Sequence, residues 1–296
     1  MLKSHGRYDE NPITRRPDYT WPNGARLAVY VALGVEAYHF GEGMTENLSP
    51  GGTLPHDVLN ASWRDYGNRV GAWRLLDLMR ELNLPLTILL NTALYEECPA
   101  LCAAFRAQGC EIVAHGYSNS DTMAGMSEAE EAAYIARVTA DITTNETRPP
   151  KGWASPWIAE TPTTPEALQA AGYAYLLDWC MDDQPAWLAT RAGRLLSIPY
   201  SQEINDSSTI IGRLATGADF ADMIVDQFDQ LLVDSASQPV VMNVILHSFI
   251  SGQPFRRRRI AQALAHIARH RDVIFATTPG GIADHVLSKD VVAKMT

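Results

Sequence analysis

The sequence predicts an α/β fold in which parallel strands, joined by crossover helices, curl into a barrel of about seven strands. Short runs rich in Val, Ile and Leu alternate along the chain with amphipathic stretches, which is the pattern of parallel strands and their crossovers. Seven such runs can be found, enough to close a barrel. The 296 residues, 46% of them apolar, suffice for one large core, and α/β barrels of this size routinely form a single domain. Residues 1–296 are therefore read as one domain that opens with a polar, Pro-rich arm over 1–24, placed to wrap the barrel or meet a neighbouring subunit.

The first strand is expected over 27–33, a run of seven apolar residues. Residues 41–66 carry Gly, Pro, Asn and His with no clean period and read as a long loop, of a length that is usually functional and often a lid. Apolar spacing then predicts a helix over 68–82, a strand over 85–91, a helix over 92–108 stopped at Gly109, and a strand over 111–115. Ser127 followed by Glu130 has capping-box spacing and opens a helix over 127–143. A helix over 164–171 and strands over 173–177 and 195–199 come next. The rest alternates: helix 218–233, strand 240–247, helix 257–269, strand 273–276 and helix 279–287.

A formal net charge of −10 argues against a nucleic-acid partner, which needs a basic surface. The one basic run, Arg256 to Arg259, reads as a solvated helix start or an oligomer contact, although one of its arginines could meet a carboxylate on a substrate or product. No segment approaches the roughly 18 uninterrupted apolar residues of a membrane span, and the opening residues lack the apolar core of an export signal, so no membrane partner and a cytoplasmic location are expected. Cys98, Cys102, Cys110 and Cys180 read as buried free thiols. Asp182 and Asp183 read as a solvated turn.

In an α/β barrel, chemistry is placed at the C-terminal ends of strands. Glu36, His115 and His247 each follow a predicted strand, and Asn119 lies four residues beyond His115, close enough in a turn to face the same point. Glu36, His115 and His247 are the candidate catalytic residues. Trp153, Trp157, Trp179, Tyr200 and Phe249 fall at or just after predicted strand ends, where aromatic walls could hold a planar ring. Asn205 and Asp206 could offer paired hydrogen bonds to alternating N–H and C=O groups, and equally could be ordinary turn chemistry.

Several segments together resemble a known family: Trp21-Pro22-Asn23-Gly24-Ala25-Arg26, His115-Gly116-Tyr117-Ser118, Gly152-Trp153 with Pro156-Trp157, Ile198-Pro199-Tyr200 with Asn205-Asp206, and Leu246-His247-Ser248. Over almost its whole length the chain resembles the polysaccharide-deacetylase family with the NodB-homology fold. Its first and fourth segments are most similar to the cytoplasmic branch containing the metal-independent type of allantoinase and the cyclic-imide hydrolases. The resemblance implies a distorted β/α barrel, hydrolysis of a C–N bond in an amide, imide or ureide, and a homo-oligomer, dimer or tetramer. It also adds Pro156 to the candidate substrate contacts.

The chain departs from the family pattern of an aspartate base, an aspartate metal ligand, a His-x3-His pair and an arginine that holds the base. Gly34 falls at the base position, Glu36 at the ligand position, Asn119 at the second histidine and Ala154 at the arginine. Losing the base and its arginine together is cheaper than leaving the arginine as an uncompensated buried charge.

Two mechanisms stay open. Glu36, His115 and Asn119 could hold one weakly bound divalent ion such as zinc, which would activate water and polarise the carbonyl. Alternatively no metal is used: Glu36, its pKa raised by surrounding aromatics, activates water while His115 or His247 donates a proton. The second is favoured, because asparagine is an uncommon zinc ligand. The expected substrate is a small planar cyclic amide, imide or ureide. A metal-dependent deacetylase of a small N-acetylated metabolite or sugar is the alternative, and a catalytically silent barrel scaffold, suggested by Gly34 and Ala154, is the third reading.

Overall fold

The computed structural model describes residues 2–49 and 57–288. Its strands are β1 (Leu27–Val35), β2 (Thr87–Leu90), β3 (Glu111–Ala114), β4 (Gly152–Trp153), β5 (Tyr175–Leu176), β6 (Ala186–Thr190), β7 (Gly193–Ser197), β8 (Val240–His247) and β9 (Phe275–Thr277). The helices are α1 (Val58–Tyr66), α2 (Ala72–Leu82), α3 (Leu94–Glu97), α4 (Pro99–Ala107), α5 (Glu128–Glu146), α6 (Thr164–Ala170), α7 (Gly217–Asp234), α8 (Ser248–Ser251), α9 (Pro254–Ala268) and α10 (Pro279–Ser288).

One curled sheet runs in the order β6-β7-β5-β4-β3-β2-β1-β8, and β9 pairs with the lower half of β1. All pairings are parallel except the β6–β7 hairpin. Beyond β7 the chain returns to β8, where Asn205 bridges Ile245 in parallel and Ile245 N donates to Ile204 O at 2.9 Å. The sheet is thereby drawn round into the expected distorted barrel.

Strand parity decides which residues enter the barrel, since successive side chains point to opposite faces. Along β1, Leu27, Val29, Val31, Leu33 and Val35 pack under the outer helices, whereas Ala28, Tyr30 and Ala32 pack inside. Along β8, Val240, Met242, Val244 and Leu246 face out, and Val241 and Ile245 face in. Leu89 of β2 and Val113 of β3 are also interior. Further up these inner rows, two residues past Leu89, Val113 and Ile245 and, beyond Gly34, four past Ala32, stand Asn91, His115, His247 and Glu36, at the rim.

Where the structure departs from the sequence reading, the reasons are local. β4 is only two residues long and gives no period, while β6 is a half-exposed strand of an antiparallel hairpin. The expected loop 41–66 ends in helix α1, whose start is capped by Asp57 accepting from Asn60 N; residues 50–56 of that loop lie outside the described residues. Helix α1 buries Asn60, Trp63 and Arg64 while Val58 and Leu59 face solvent, a pattern opposite to the one that marks a helix in sequence. A π-helical turn over Gly67–Gly71 joins it to α2. The helix expected over 92–108 breaks at Cys98-Pro99 into α3 and α4. The capping box at Ser127 is formed.

All four cysteines are free thiols; Cys102 and Cys110 are buried, but Cys98 is half-buried and Cys180 is exposed. Asp182 is no solvated turn residue: it pairs with Arg16 at 2.6 Å and helps fasten the N-terminal arm. Arg7 pairs with Glu166 at 2.7 Å, and buried Trp21 donates to Val240 O at 3.1 Å, so the arm is pinned along the barrel. Among the described residues, no helix is long and apolar enough to cross a membrane.

Candidate active site

The β1–β8 register sets Gly34 opposite His247, and β2 sets Leu89 beside Gly34. A Cβ at position 34 would lie 2.8 Å from His247 Cδ2 and 3.3 Å from Glu36 Oε1. The volume a side chain would occupy there is thus already filled by the imidazole, and position 34 has room only for glycine.

Glu36, His115 and His247 converge. Glu36 Oε1 lies 3.4 Å from His247 Nε2 and 3.7 Å from His115 Nε2, and all three side chains are nearly fully buried. Glu36 Oε2 accepts from Tyr38 Oη at 2.5 Å, which turns the other oxygen toward the imidazoles. His115 Nδ1 lies 2.8 Å from Ala154 O; a carbonyl can only accept, so Nδ1 carries the proton and a neutral ring presents its lone pair at Nε2. Gly116, at a φ of 73°, makes the turn that follows, and a Cβ there would meet Pro156 Cγ at 2.6 Å.

His247 is held from behind. Its Nδ1 lies 2.6 Å from Asp206 Oδ1, and its backbone N donates to Asp206 Oδ2 at 2.8 Å. Ser251 Oγ also donates to that oxygen. Burial acts to lower the His247 pKa, but Asp206 and then Glu36 outweigh it and push the imidazole up to about 9. It is an imidazolium at neutral pH. Glu36 shows the converse balance: burial acts to raise its pKa, yet the charge of His247, with His115 and the Tyr38 hydroxyl also facing it, holds it below the ordinary carboxylate range. The aromatic surroundings therefore do not raise Glu36 as the sequence suggested, because an imidazolium sits against it.

The cavity at this point has a volume of about 170 Å³ and is lined by Glu36, His115, His247, Asn119, Tyr200 and Asn205, together with Trp157, Glu46 and Gln202. That is well below the roughly 300–1,000 Å³ of sites for drug-sized ligands. Asp206 serves His247 and does not line the cavity. Trp153 lies on the outer face of β4, donates to Ser155 Oγ at 3.0 Å and packs on Tyr173. Trp179 packs against His5 and Tyr8 of the arm. Phe249 packs behind the site on Trp63, Tyr38 and His247, and Pro156 fills the space under Gly116. None of these four lines the cavity.

Residues that sequence reasoning passed over complete the site. Asn91 is fully buried and ties three strand ends together: its Oδ1 accepts from Ala37 N at 2.9 Å, and its Nδ2 donates to His115 O and, at 3.1 Å, to Asn119 Oδ1. Its inner-face position two residues past Leu89 was the available signal. Asp178 accepts from Ser155 N at 2.8 Å and steadies the loop whose carbonyl holds His115; burial pushes its carboxyl up to about 6. Tyr38 and Glu46 come from a loop without periodicity and left no signal.

These residues do not fit a zinc site. Asn119 Oδ1, an uncommon zinc ligand, already accepts from Asn91 Nδ2, and a metal at His247 Nε2 would have to displace a proton that Asp206 and Glu36 hold there. Without those two, one carboxylate and one imidazole are left, fewer than the three protein ligands of catalytic zinc. Among the described residues, no group of three or more His, Cys, Asp or Glu side chains could hold a metal ion.

The barrel and its rim define an α/β protein of the polysaccharide-deacetylase fold, and residues 61–176 match the polysaccharide deacetylase family model. Over that stretch the chain is similar to the family, and its fold is that of the solved structures below. It is 26% identical to PuuE allantoinase, whose crystal structure superposes with a TM-score of 0.83 over 98% of each chain. The structure of a "probable Polysaccharide deacetylase" from Pseudomonas aeruginosa PAO1 is 27% identical, with a TM-score of 0.82 over 95% of this chain and 96% of that one. A "Putative polysaccharide deacetylase" of Schizosaccharomyces pombe is 24% identical over 90% of this chain and 91% of its own.

Proposed function

We propose that the protein hydrolyses a non-peptide C–N bond in a small cyclic amide, imide or ureide, using Glu36 as the base and His247 as the acid without a metal ion. The match of residues 61–176 to the polysaccharide deacetylase family model and the likeness to an allantoinase support a C–N bond hydrolase. The observation that carries the reaction is the line Asp206, His247, Glu36: an imidazolium between two carboxylates, its Nε2 3.4 Å from Glu36 Oε1.

Glu36 takes a proton from water as its oxygen attacks the carbonyl carbon. The His115 Nε2 lone pair accepts the other O–H and orients the water. His247 then donates its Nε2 proton to the nitrogen as the C–N bond breaks, and the ring opens to an amine or amide and a carboxylic acid, which ionises. Asp206 keeps the imidazole protonated and oriented beforehand, so it is a positioning residue.

The small cavity favours a planar ring over a polymer. The four free thiols support a cytoplasmic setting, and the exposed Phe40, Val58 and Leu59 support a homo-oligomer. Hydrolysis of allantoin, hydantoin, succinimide and dihydrouracil, followed by release of the ring-opened acid, tests the reading against N-acetyl sugars, followed by acetate. Turnover of a ring that is lost in Glu36→Gln supports it. Acetate release alone would move the assignment to a deacetylase, and no turnover of any compound would leave a scaffold.

A further inference from the structure

The cavity holds a second carboxyl. Glu46, from the loop after β1, lines it with the three catalytic candidates, and Ser207 Oγ donates to its Oε2 at 2.9 Å. The loop is fastened there by buried polar residues of α1: Arg64 Nη1 donates to Glu46 O at 2.7 Å, and Asn60 Oδ1 accepts from Leu48 N at 2.9 Å. Arg64 also lies over the Tyr38 ring, 4.8 Å from its centre, so the same helix braces both the Glu46 loop and the tyrosine that orients Glu36. Those inward-facing polar residues are what made α1 unreadable as a helix, and holding this loop is what they do.

Charge limits what can bind. Among the described residues no Lys or Arg lines the cavity, and His247 is the cation there, set against Glu36 and Glu46 with Asp206 behind. Arg256 to Arg259, which the sequence offered as a carboxylate contact, are elsewhere: Arg256 donates to Ile250 O, Arg257 faces Glu81, and Arg259 faces Asp222. An anionic substrate would meet two carboxylates with one imidazolium to offset them, and an anionic product would be repelled. A neutral molecule that donates N–H suits such a wall. Burial raises the Glu46 pKa, with His247 opposing and Glu36 adding to it, so the ionised form is short of donors and gains from one.

We propose that Glu46 is a substrate-recognition residue that accepts a ring N–H, so that the preferred substrates are neutral cyclic imides and ureides with a free N–H beside the scissile bond, and rings alkylated at that nitrogen are rejected. This rests on the hydrolase reading above and narrows its substrate class.

The probes are succinimide and N-methylsuccinimide, which differ only at that nitrogen. Both hydrolysis and binding, the latter by ligand-observed NMR, are measured on the full-length protein, on Glu46→Ala, on Glu46→Gln, which keeps an acceptor oxygen, and on Glu42→Gln as an exposed control in the same loop. A hydrogen bond to a charged group predicts a roughly ten- to hundredfold preference for succinimide. In Glu46→Ala that preference should shrink to within about threefold, mainly through KM, and Glu46→Gln should restore part of it. An undiminished preference in Glu46→Ala, or a loss confined to kcat, overturns the proposal; should the alanine variant not fold, an undiminished preference and unchanged KM in Glu46→Gln does so. Hydrolysis of both rings at equal rates overturns the N–H role and leaves the hydrolase reading standing. Selective binding lost in Glu46→Ala, with no turnover of either ring, does the reverse. Neither binding nor turnover refutes both.

Discussion

Replacing Asp206 by Asn tests the proton inventory most sharply. The variant keeps the shape of the side chain and removes the charge behind His247. In the native site His247 is raised from 6.5 to about 9 although burial pulls the other way, a difference worth about 3 kcal/mol between charged and neutral imidazole. Asp206 is the largest of the raising influences, ahead of Glu36. Without it, burial and Glu36 remain and the pKa should fall by at least about one unit. The assay is twofold: NMR titration of the His247 ring, and the alkaline limb of kcat/KM against pH, which reports the essential acid of the free enzyme. Native activity should decline as pH rises through about 9, and the limb should move to lower pH in the variant. Stability follows the same sign. A group whose folded pKa lies above its unfolded value stabilises fully below the unfolded value, here 6.5, and that contribution is lost as pH rises through about 9. Asp206→Asn should bring the loss to lower pH. A folded variant whose limb and ring titration stay near the native values would refute the claim that Asp206 keeps His247 charged.

Gly34→Ala should cost about 1–3 kcal/mol and at least tenfold in turnover, because the new methyl meets the His247 ring; melting and steady-state kinetics check it together. Gly34→Asp, which restores the family's base residue, should be no more active than Gly34→Ala, and a gain in turnover would contradict the steric argument. Asn91→Ala removes a buried residue that ties three strand ends and should destabilise the fold by about 2–4 kcal/mol, read by urea unfolding. Glu36→Gln should lower kcat by about 10²–10⁴-fold with little loss of substrate binding.

The barrel and the catalytic trio were legible because inner-row parity carries 28, 30, 32 to 36 and 241, 245 to 247, so strand-end polar residues fall on one rim. The same rule applied to β4 separates Trp153 from Ala154: Trp153 pairs with outward Ala114, and Ala154 faces in. Reading the tryptophan as a pocket wall overlooked that alternation. Trp179 and Phe249 follow strands too, but the chain has already turned, one toward the arm and one under α1. Glu46 and Tyr38 were invisible, since a loop positions side chains through long-range partners such as Arg64, Ser207 and Glu36, which local sequence does not encode. Helix α1 was missed because its buried face sets Asn60 and Arg64, which hold that loop, beside Trp63, while Val58 and Leu59 face out.

In the proposed reaction Glu36 and His247 open a C–N bond by proton transfer alone. Its most direct test is the rate of ring opening of hydantoin and succinimide by protein stripped with chelator, verified by elemental analysis, and then titrated with zinc. Stripped protein should retain its full rate, zinc should add nothing, and Glu36→Gln should be inactive in both states. A rate that vanishes on stripping and returns in proportion to bound zinc would contradict it.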